Sequence, residues 1–229
     1  MNYASNKRRR DDVVSRVANA DVDHRFCRIA GCGNPTRAGS NSGLNRLYCR
    51  AHEDYFQRHG SYVKGSYPAS LLAPYRKRAL AWLEANRTDR RVALAIQRIR
   101  SLYQRAGAKV EAFRLAGLSP EDRARAAWAR LRVAEVDPML PIAAWLAIER
   151  AIANDPQPDT KIEFKRVQAA KLVHRMASGT HKRWERTGPG GRVLVEEMHK
   201  YPASRGRVLR HIGEQLALAC EVLPADLKF

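Results

Sequence analysis

The sequence predicts a mainly α-helical protein, with a small N-terminal module followed by a multi-helix basic body. Apolar residues recur at helical spacing from Pro74 onward, which is the main signal for helices. Cysteine and histidine cluster between residues 27 and 52, which sets this stretch apart from the body. Lys and Arg total 42 against 23 Asp and Glu, so the formal net charge is +19 over 229 residues.

The first 25 residues are predicted to form a mobile basic arm. Lys7, Arg8, Arg9 and Arg10 are consecutive, and no apolar periodicity surrounds them. Arms of this kind follow phosphates or enter a minor groove, and a disordered tail is the alternative. No apolar stretch follows as in a secretory signal, and no apolar run approaches the ~20 residues of a membrane span. We therefore expect a cytoplasmic protein, associated with the nucleoid if it is bacterial.

The second segment, residues 26–61, carries the most specific motif of the chain. Its spacing is Cys27-x4-Cys32-x16-Cys49-x2-His52. Zinc binds four nitrogen or sulfur donors in a tetrahedron, commonly two from a tight turn and two from a short helix. Four protein ligands close the coordination sphere, which favours a structural ion over a catalytic one. We predict one structural Zn²⁺ per chain, which makes the fold mainly α with a small zinc-stabilised module.

Other donors leave alternatives to this ligand set. His24 and His59 are spare nitrogen donors, and either can replace a residue assigned wrongly. A group of reduced cysteines without metal is the other interpretation. Cys220 lies far from the motif on an apolar helical stripe, where we expect a buried and inert thiol.

The motif resembles short zinc modules of phage and mobile-element proteins, which often accompany HNH-type endonucleases. The resemblance covers roughly residues 26–61 and is carried by Gly31-Cys32-Gly33-Asn34-Pro35, Tyr48-Cys49-Arg50-Ala51-His52 and Arg58-His59-Gly60. It implies a DNA-handling context. It does not extend to catalysis, because no His-Asn-His constellation follows the zinc motif in the next fifty residues.

Residues 70–229 form the predicted basic body. Capping signals in the sequence locate the starts of its first helices. Thr88 is the predicted N-cap of a helix that stops before Gly107, and Ser119-Pro-Glu-Asp122 starts the next one. A sub-boundary between the two is placed near residue 118.

The later helices follow from apolar spacing. Asp137-Pro138 starts a helix with little polar face, which is predicted to be the core or a subunit interface. Its apolar residues are Ile142, Trp145, Leu146, Ile148 and Ile152. Helices over about 160–177 and 204–222 complete the body, and no strand is predicted outside the zinc segment.

The distribution of charge predicts a polyanionic partner. Residues 61–119 and 161–212 each carry a net charge of +9, and residues 120–160 between them carry −2. Nucleic acid is the commonest partner of such basic blocks, and a solvated basic surface is the alternative. We predict nucleic-acid binding and no membrane contact.

Three helical segments present cations at regular spacing. One stripe is formed by Lys161, Lys165, Lys171 and Arg175, and another by Arg91, Arg98 and Arg105. Arg205, Arg207 and Arg210 stand in the first turn of the last helix, where they oppose the helix dipole unless an anion joins them. A solvated outer face is the alternative for the stripes.

Residues 178–192 are predicted to be a flexible loop that contacts nucleic acid. They combine His181, Lys182, Arg183, Arg186 and Arg192 with Trp184 and four glycines. Cations bind phosphate and an indole stacks on a base, whereas the alternative is a linker whose tryptophan packs on the body. His174, His181, His199 and His211 are scattered, and each is expected to be a surface or core residue.

Together these features predict a zinc-containing, non-catalytic accessory or regulatory factor of a phage or mobile element that binds double-stranded DNA. Such a factor can also belong to a larger nucleoprotein complex. The alternatives are an RNA-binding or structural component of a ribonucleoprotein and an HNH-like metal-dependent nuclease. The same side chains bind phosphate in DNA and RNA; aromatic residues are only 7%, which favours a duplex over stacking on single strands.

Overall fold

The structure, a computed structural model, describes residues 7–8, 10–11, 14–15, 26–36, 39–40, 43–44, 47–177, 179–202, 206–224 and 227. Over these residues it is mainly helical, which confirms the predicted class. Most of the predicted basic arm, 1–25, lies outside them. The chain divides into two units, residues 1–65 and 66–229. Within the described ranges, no helix combines the length and apolar character needed to cross a membrane.

The first unit is built from short elements. Phe26 and Pro35 form an isolated antiparallel bridge that closes a turn. Two very short antiparallel strands and one helix follow, namely β1 (Gly39–Ser40), β2 (Gly43–Leu44) and α1 (Arg50–His59). Helix α1 ends at His59 and is capped by Gly60. The φ angle of Gly60 is 75°, a left-handed conformation that glycine adopts without strain. The rings of Tyr48 and Phe56 both stack on Tyr62.

The second unit contains the basic body. Its elements are α2 (Ala69–Ala85), α3 (Arg90–Arg105), a 3-10 segment (Ala112–Gly117), α4 (Pro120–Val133), α5 (Met139–Ala153), α6 (Ile162–His174), β3 (Thr180–Thr187), β4 (Val193–Lys200) and α7 (Arg207–Cys220). Helix α2 packs against α5, and α7 packs against α6 and α4.

Helices α5 and α6 form the centre of this unit. Ile142, Leu146 and Ile148 of α5 are fully buried, which confirms the prediction that this helix belongs to the core. Phe164 and Val167 of α6 are buried as well, although the sequence interpretation placed only one side of that helix inside. Helix α6 therefore lacks the broad solvent face that a surface helix has.

Two helix starts test the capping predictions. The hydroxyl of Ser119 accepts a hydrogen bond from the backbone N–H of Asp122 at 3.1 Å, which confirms the predicted start of α4. Helix α3 starts one residue later than predicted. The carboxylate of Asp89 accepts bonds from the N–H groups of Arg91 and Val92, so Asp89 is the N-cap in place of Thr88.

Residues 178–192 are the main correction to the predicted fold. Ser178 lies outside the described residues, and Thr180–Thr187 forms strand β3, which pairs antiparallel with β4 from Thr180–Lys200 to Thr187–Val193. Gly190 and Gly191 take positive φ values in the turn between the strands. The prediction of a flexible loop without strands is therefore wrong. Because β3 is polar on both faces, it lacks the apolar alternation by which strands are recognised.

The base of this hairpin is seated on the 3-10 segment. The hydroxyl of Thr180 accepts a hydrogen bond from the N–H of Ala112 at 2.8 Å and donates one to the carboxylate of Glu111 at 2.6 Å. At Gly179, an added Cβ would lie 2.1 Å from the backbone oxygen of Lys200, so only glycine fits there. Beyond this base, nearly every residue of both strands is exposed.

Candidate metal centre and cationic surfaces

The four predicted zinc ligands converge in the first unit. The Nδ1 atom of His52 lies 3.3 Å from the Sγ atoms of both Cys27 and Cys49, and the Sγ atoms of Cys32 and Cys49 are 3.9 Å apart. All four donor atoms lie within 4.8 Å of one another. A zinc ion about 2.3 Å from sulfur and about 2.0 Å from nitrogen holds tetrahedral donors about 3.5–3.8 Å apart. The residues therefore fit one metal ion.

Local backbone geometry explains why these ligands meet. The N–H of Cys27 bonds to the carbonyl of Asn34 at 2.9 Å, and the N–H of Cys32 bonds to the carbonyl of Ile29 at 3.0 Å. Gly31, with a φ of 77°, supplies the left-handed conformation that this tight turn requires. Cys49 is the N-cap of α1, so His52 follows on the same side of its first turn.

The electrostatics of the cluster favour a thiolate at Cys49. Burial by itself raises the pKa of this thiol, whose residue is only 2% exposed. Hydrogen bonds from the backbone N–H and the ring of His52 outweigh burial and lower the pKa of Cys49 to about 7. A thiol at a helix N-terminus commonly shows such a shift, and the thiolate is the form that binds metal.

The spare donors do not join this cluster in the described residues. The ring of His59 packs against Tyr55 at 4.3 Å, and His24 lies outside the described residues. Cys220 is buried in the second unit, as predicted, and burial raises the pKa of its thiol. The predicted set of three cysteines and one histidine is thus the one that the geometry brings together.

The hairpin carries all of its predicted cations at the surface. Lys182, Arg183, Arg186 and Arg192 are exposed, and Trp184 is 43% exposed. Lys182 and Arg186 alternate with Trp184 on one face of β3, and Arg183 points to the other face. The hairpin is therefore a cationic ribbon, defined here as residues 180–200.

The predicted stripe on α6 is not a continuous surface. Lys161 and Arg175 are exposed at the two ends of the helix. Lys165 instead forms an ion pair with Glu149 at 2.5 Å and lies over the ring of Trp145. Lys171 is only 9% exposed and donates a hydrogen bond to the hydroxyl of Ser66 at 2.7 Å.

The prediction that these four cations form one exposed stripe on α6 is therefore wrong, because two of them are turned to partners within the protein. Lys165 is directed at Glu149 and Trp145 of α5, and Lys171 at Ser66 ahead of α2, so the burial of this helix leaves both amino groups with partners inside the protein.

The other two predicted cationic groups, on α3 and at the start of α7, also contain both exposed arginines and arginines that are paired within the protein. Arg91 and Arg105 of α3 are exposed, whereas Arg98 bonds to the carbonyl of Leu218 and pairs with Glu221 at 2.9 Å. At the start of α7, Arg207 is exposed and Arg210 pairs with Glu163, while Arg205 lies outside the described residues. An external anion was predicted beside Arg210, but the carboxylate of Glu163 already occupies that position.

Two histidines that the sequence left scattered meet on the hairpin. His181 and His199 are direct partners across β3 and β4, and Glu197 stands beside His199 on the same face. His174, by contrast, is buried. Burial, with Arg130 and Arg175 nearby, lowers the pKa of His174 to about 4, so the ring stays neutral in the core. Beyond the glycine-rich turn at residues 188–191, the sequence carries no signal for this pairing.

Comparison with known proteins adds no further assignment. No family model, curated protein or solved structure matches this chain.

Proposed function

We propose that this protein is a zinc-containing, non-catalytic factor that binds nucleic acid, with double-stranded DNA as its main ligand. We place it as an accessory or regulatory factor of a phage or mobile element, because residues 26–61 resemble the zinc modules of such proteins. The cationic ribbon is the observation that carries the proposal, and the formal net charge of +19 supports it.

The shape of the ribbon suits a DNA groove. Its two eight-residue strands extend roughly 26 Å at about 3.3 Å per residue, and they are exposed beyond the base. The major groove of B-DNA admits either a helix or a two-stranded ribbon of this kind. Anchoring of Thr180 to Glu111 and Ala112 holds the base, so the cations are displayed on an ordered support.

Two arginines of the ribbon remain available to phosphate, whereas Lys182 also pairs with Glu111 at 3.9 Å and lies over the ring of Phe113. Arg183 faces Glu197 at 3.7 Å, and Arg186 faces Glu196 at 3.8 Å, with all four side chains exposed. Exposed ion pairs of this type contribute less than about 1 kcal/mol each. Exchange of a glutamate for a phosphate oxygen therefore costs little.

Zinc is the metal that the first unit's donors favour. Thiolate ligands select soft or borderline ions, and three sulfurs with one imidazole are a common structural zinc set. Four protein donors leave no position open for a substrate or an attacking water. The role of this ion is to hold the module together.

The main test removes the charges of the ribbon. We expect the replacement of Lys182, Arg183 and Arg186 together by Ala to lower affinity for all duplex sequences alike. The slope of log affinity against log salt should fall by about 2–3 units, near 0.9 per lost phosphate contact. Fluorescence anisotropy with labelled duplexes of two unrelated sequences measures both quantities.

A charge-matched control tests whether the ribbon, and not positive charge in general, is the binding surface. The replacement of Arg76, Lys77 and Arg78 on α2 by Ala removes the same charge from a helix. If this control weakens binding as much as the ribbon variant, the ribbon is not the interface. Tighter binding to duplex RNA or to a single strand than to duplex DNA would redirect the proposal to an RNA-binding component of a ribonucleoprotein.

The tryptophan of the ribbon should behave differently from its cations. Trp184→Ala is expected to cost ~1–3 kcal/mol of binding free energy if the indole stacks on a base, with the salt slope nearly unchanged. Trp184→Phe keeps a stacking ring and should recover most of the affinity. Equal affinities of wild type and Trp184→Ala would mean that the indole does not contact the ligand.

A further inference from the structure

His181 and His199 form a close pair on one face of the hairpin. They are direct cross-strand partners, and their rings stack with centroids 4.0 Å apart and an interplanar angle of 20°. Trp184 and its neighbours Lys182 and Arg186 occupy the opposite face. The pair is therefore separate from the indole and from the cations beside it.

A carboxylate completes this group. Glu197 is two residues from His199 on β4 and so shares its face. Its Oε2 atom lies 4.0 Å from Nε2 of His181 and 3.5 Å from Nε2 of His199. The three residues place one donor atom each within 4.8 Å of the others.

These separations approach those of ligands on a single ion. Nitrogen and oxygen donors about 2.0–2.2 Å from zinc stand about 3.4 Å apart in a tetrahedron. In the stack the two imidazole planes lie nearly parallel, so both exposed rings must turn out of the stack to direct a nitrogen lone pair at one ion. The second carboxylate oxygen, Oε1, faces Nε of Arg183 at 3.7 Å, so Oε2 is the oxygen turned toward the two imidazoles.

We propose that His181, Glu197 and His199 form a second metal site for a divalent transition ion such as Zn²⁺. Two imidazoles and one carboxylate are donors that suit zinc, copper and nickel. Three protein ligands leave at least one coordination position open to water or to an oxygen atom of a bound molecule. The ion joins β3 to β4 and stabilises a two-stranded hairpin, which is marginal in water without added support.

The two metal sites differ in kind. The cluster of Cys27, Cys32, Cys49 and His52 has four ligands and is partly buried, whereas the hairpin cluster has three ligands and is exposed. The hairpin ion should therefore bind more weakly and exchange faster. This inference does not depend on nucleic-acid binding, because it rests on the three donor atoms alone.

The test titrates Zn²⁺ into the full-length chain, purified without a histidine tag and already carrying its tightly held ion. Isothermal calorimetry should show one further equivalent per chain. The variant His181→Ala/His199→Ala should lose this equivalent, and Glu197→Gln should weaken it at least tenfold. Glu196→Gln is the matched control, because the adjacent carboxylate lies on the opposite face, and it should retain wild-type binding.

A second measurement separates the two sites. Cys49→Ser should still bind Zn²⁺ on the hairpin, and the imidazole NMR signals of His181 and His199 should shift as the ion is added. A wild-type chain that takes up no further equivalent would overturn the proposal. Retention of the further equivalent in the double histidine variant, with its circular dichroism unchanged, would overturn it as well.

Discussion

Cys49→Ser is expected to release the structural metal and to unfold residues 26–60, while the helices of residues 66–229 remain folded. The substitution removes one of four donors and places a weak hydroxyl ligand in its position. Structural zinc in small modules supplies on the order of 10 kcal/mol of apparent folding free energy at neutral pH. The effect should therefore be close to complete and confined to the first unit.

The burial pattern of the first unit explains the size of this effect. Among its described residues, the buried side chains are those of Cys27, Thr36, Cys49, Glu53 and Ser61. None of them is aliphatic or aromatic, so the apolar core that a module of this size needs is lacking in the described part. Two of the five belong to the cysteine–histidine cluster. We therefore expect a bound ion to take the place of the core.

Metal analysis after gel filtration, combined with amide NMR spectra, measures this outcome. Cys220→Ser is the control, because it removes a buried thiol outside the cluster and should leave stoichiometric zinc. Retention of one equivalent of tightly held zinc by Cys49→Ser, or unchanged amide signals from residues 26–60, would contradict the assigned ligand set.

The affinity for duplex DNA should fall by about 10³–10⁵ between 50 and 200 mM salt. This range corresponds to roughly 6–10 phosphate contacts, each of which releases condensed counterions when the complex forms. The ribbon, the exposed ends of α6 and the exposed Arg91, Arg105 and Arg207 together provide enough cations for this number.

A titration series at five or more salt concentrations measures this slope. Arg125→Ala is the control, because this arginine lies in the segment with net charge −2 and already pairs with Glu121 and Asp122. Its slope should match that of the wild type. A slope below about 2 would mean that at most about two phosphates are neutralised, which is too few for an interface of the proposed extent.

Several features were predicted correctly from local signals. The Cys27, Cys32, Cys49 and His52 set follows from spacing, because a tight turn and the first turn of a helix each present two donors at short range. The cap at Ser119 follows from a four-residue pattern. The burial of α5 follows from a run with little polar face. Each of these depends on residues close together along the chain.

The positions of the long cationic side chains were decided by packing between helices. The spacing of Lys165 and Lys171 is that of an outer stripe, yet Glu149 and Ser66 receive their amino groups after α6 packs into the centre of the second unit. Arg98 and Arg210 likewise have partners on other helices. Helical periodicity shows which residues share a face, but not which face meets a neighbour.

By itself, the sequence determined the helical class, the four donors of the cysteine–histidine cluster and the excess of positive charge, because these depend on composition and short spacing. The tertiary structure alone decided the strands of the ribbon and the meeting of His181 with Glu197 and His199. A strand that is polar on both faces carries no apolar period, so its formation depends on pairing with β4 and on its seat at Glu111 and Ala112. Cross-strand register, which no local signal specifies in such a sequence, then places the second set of donors together.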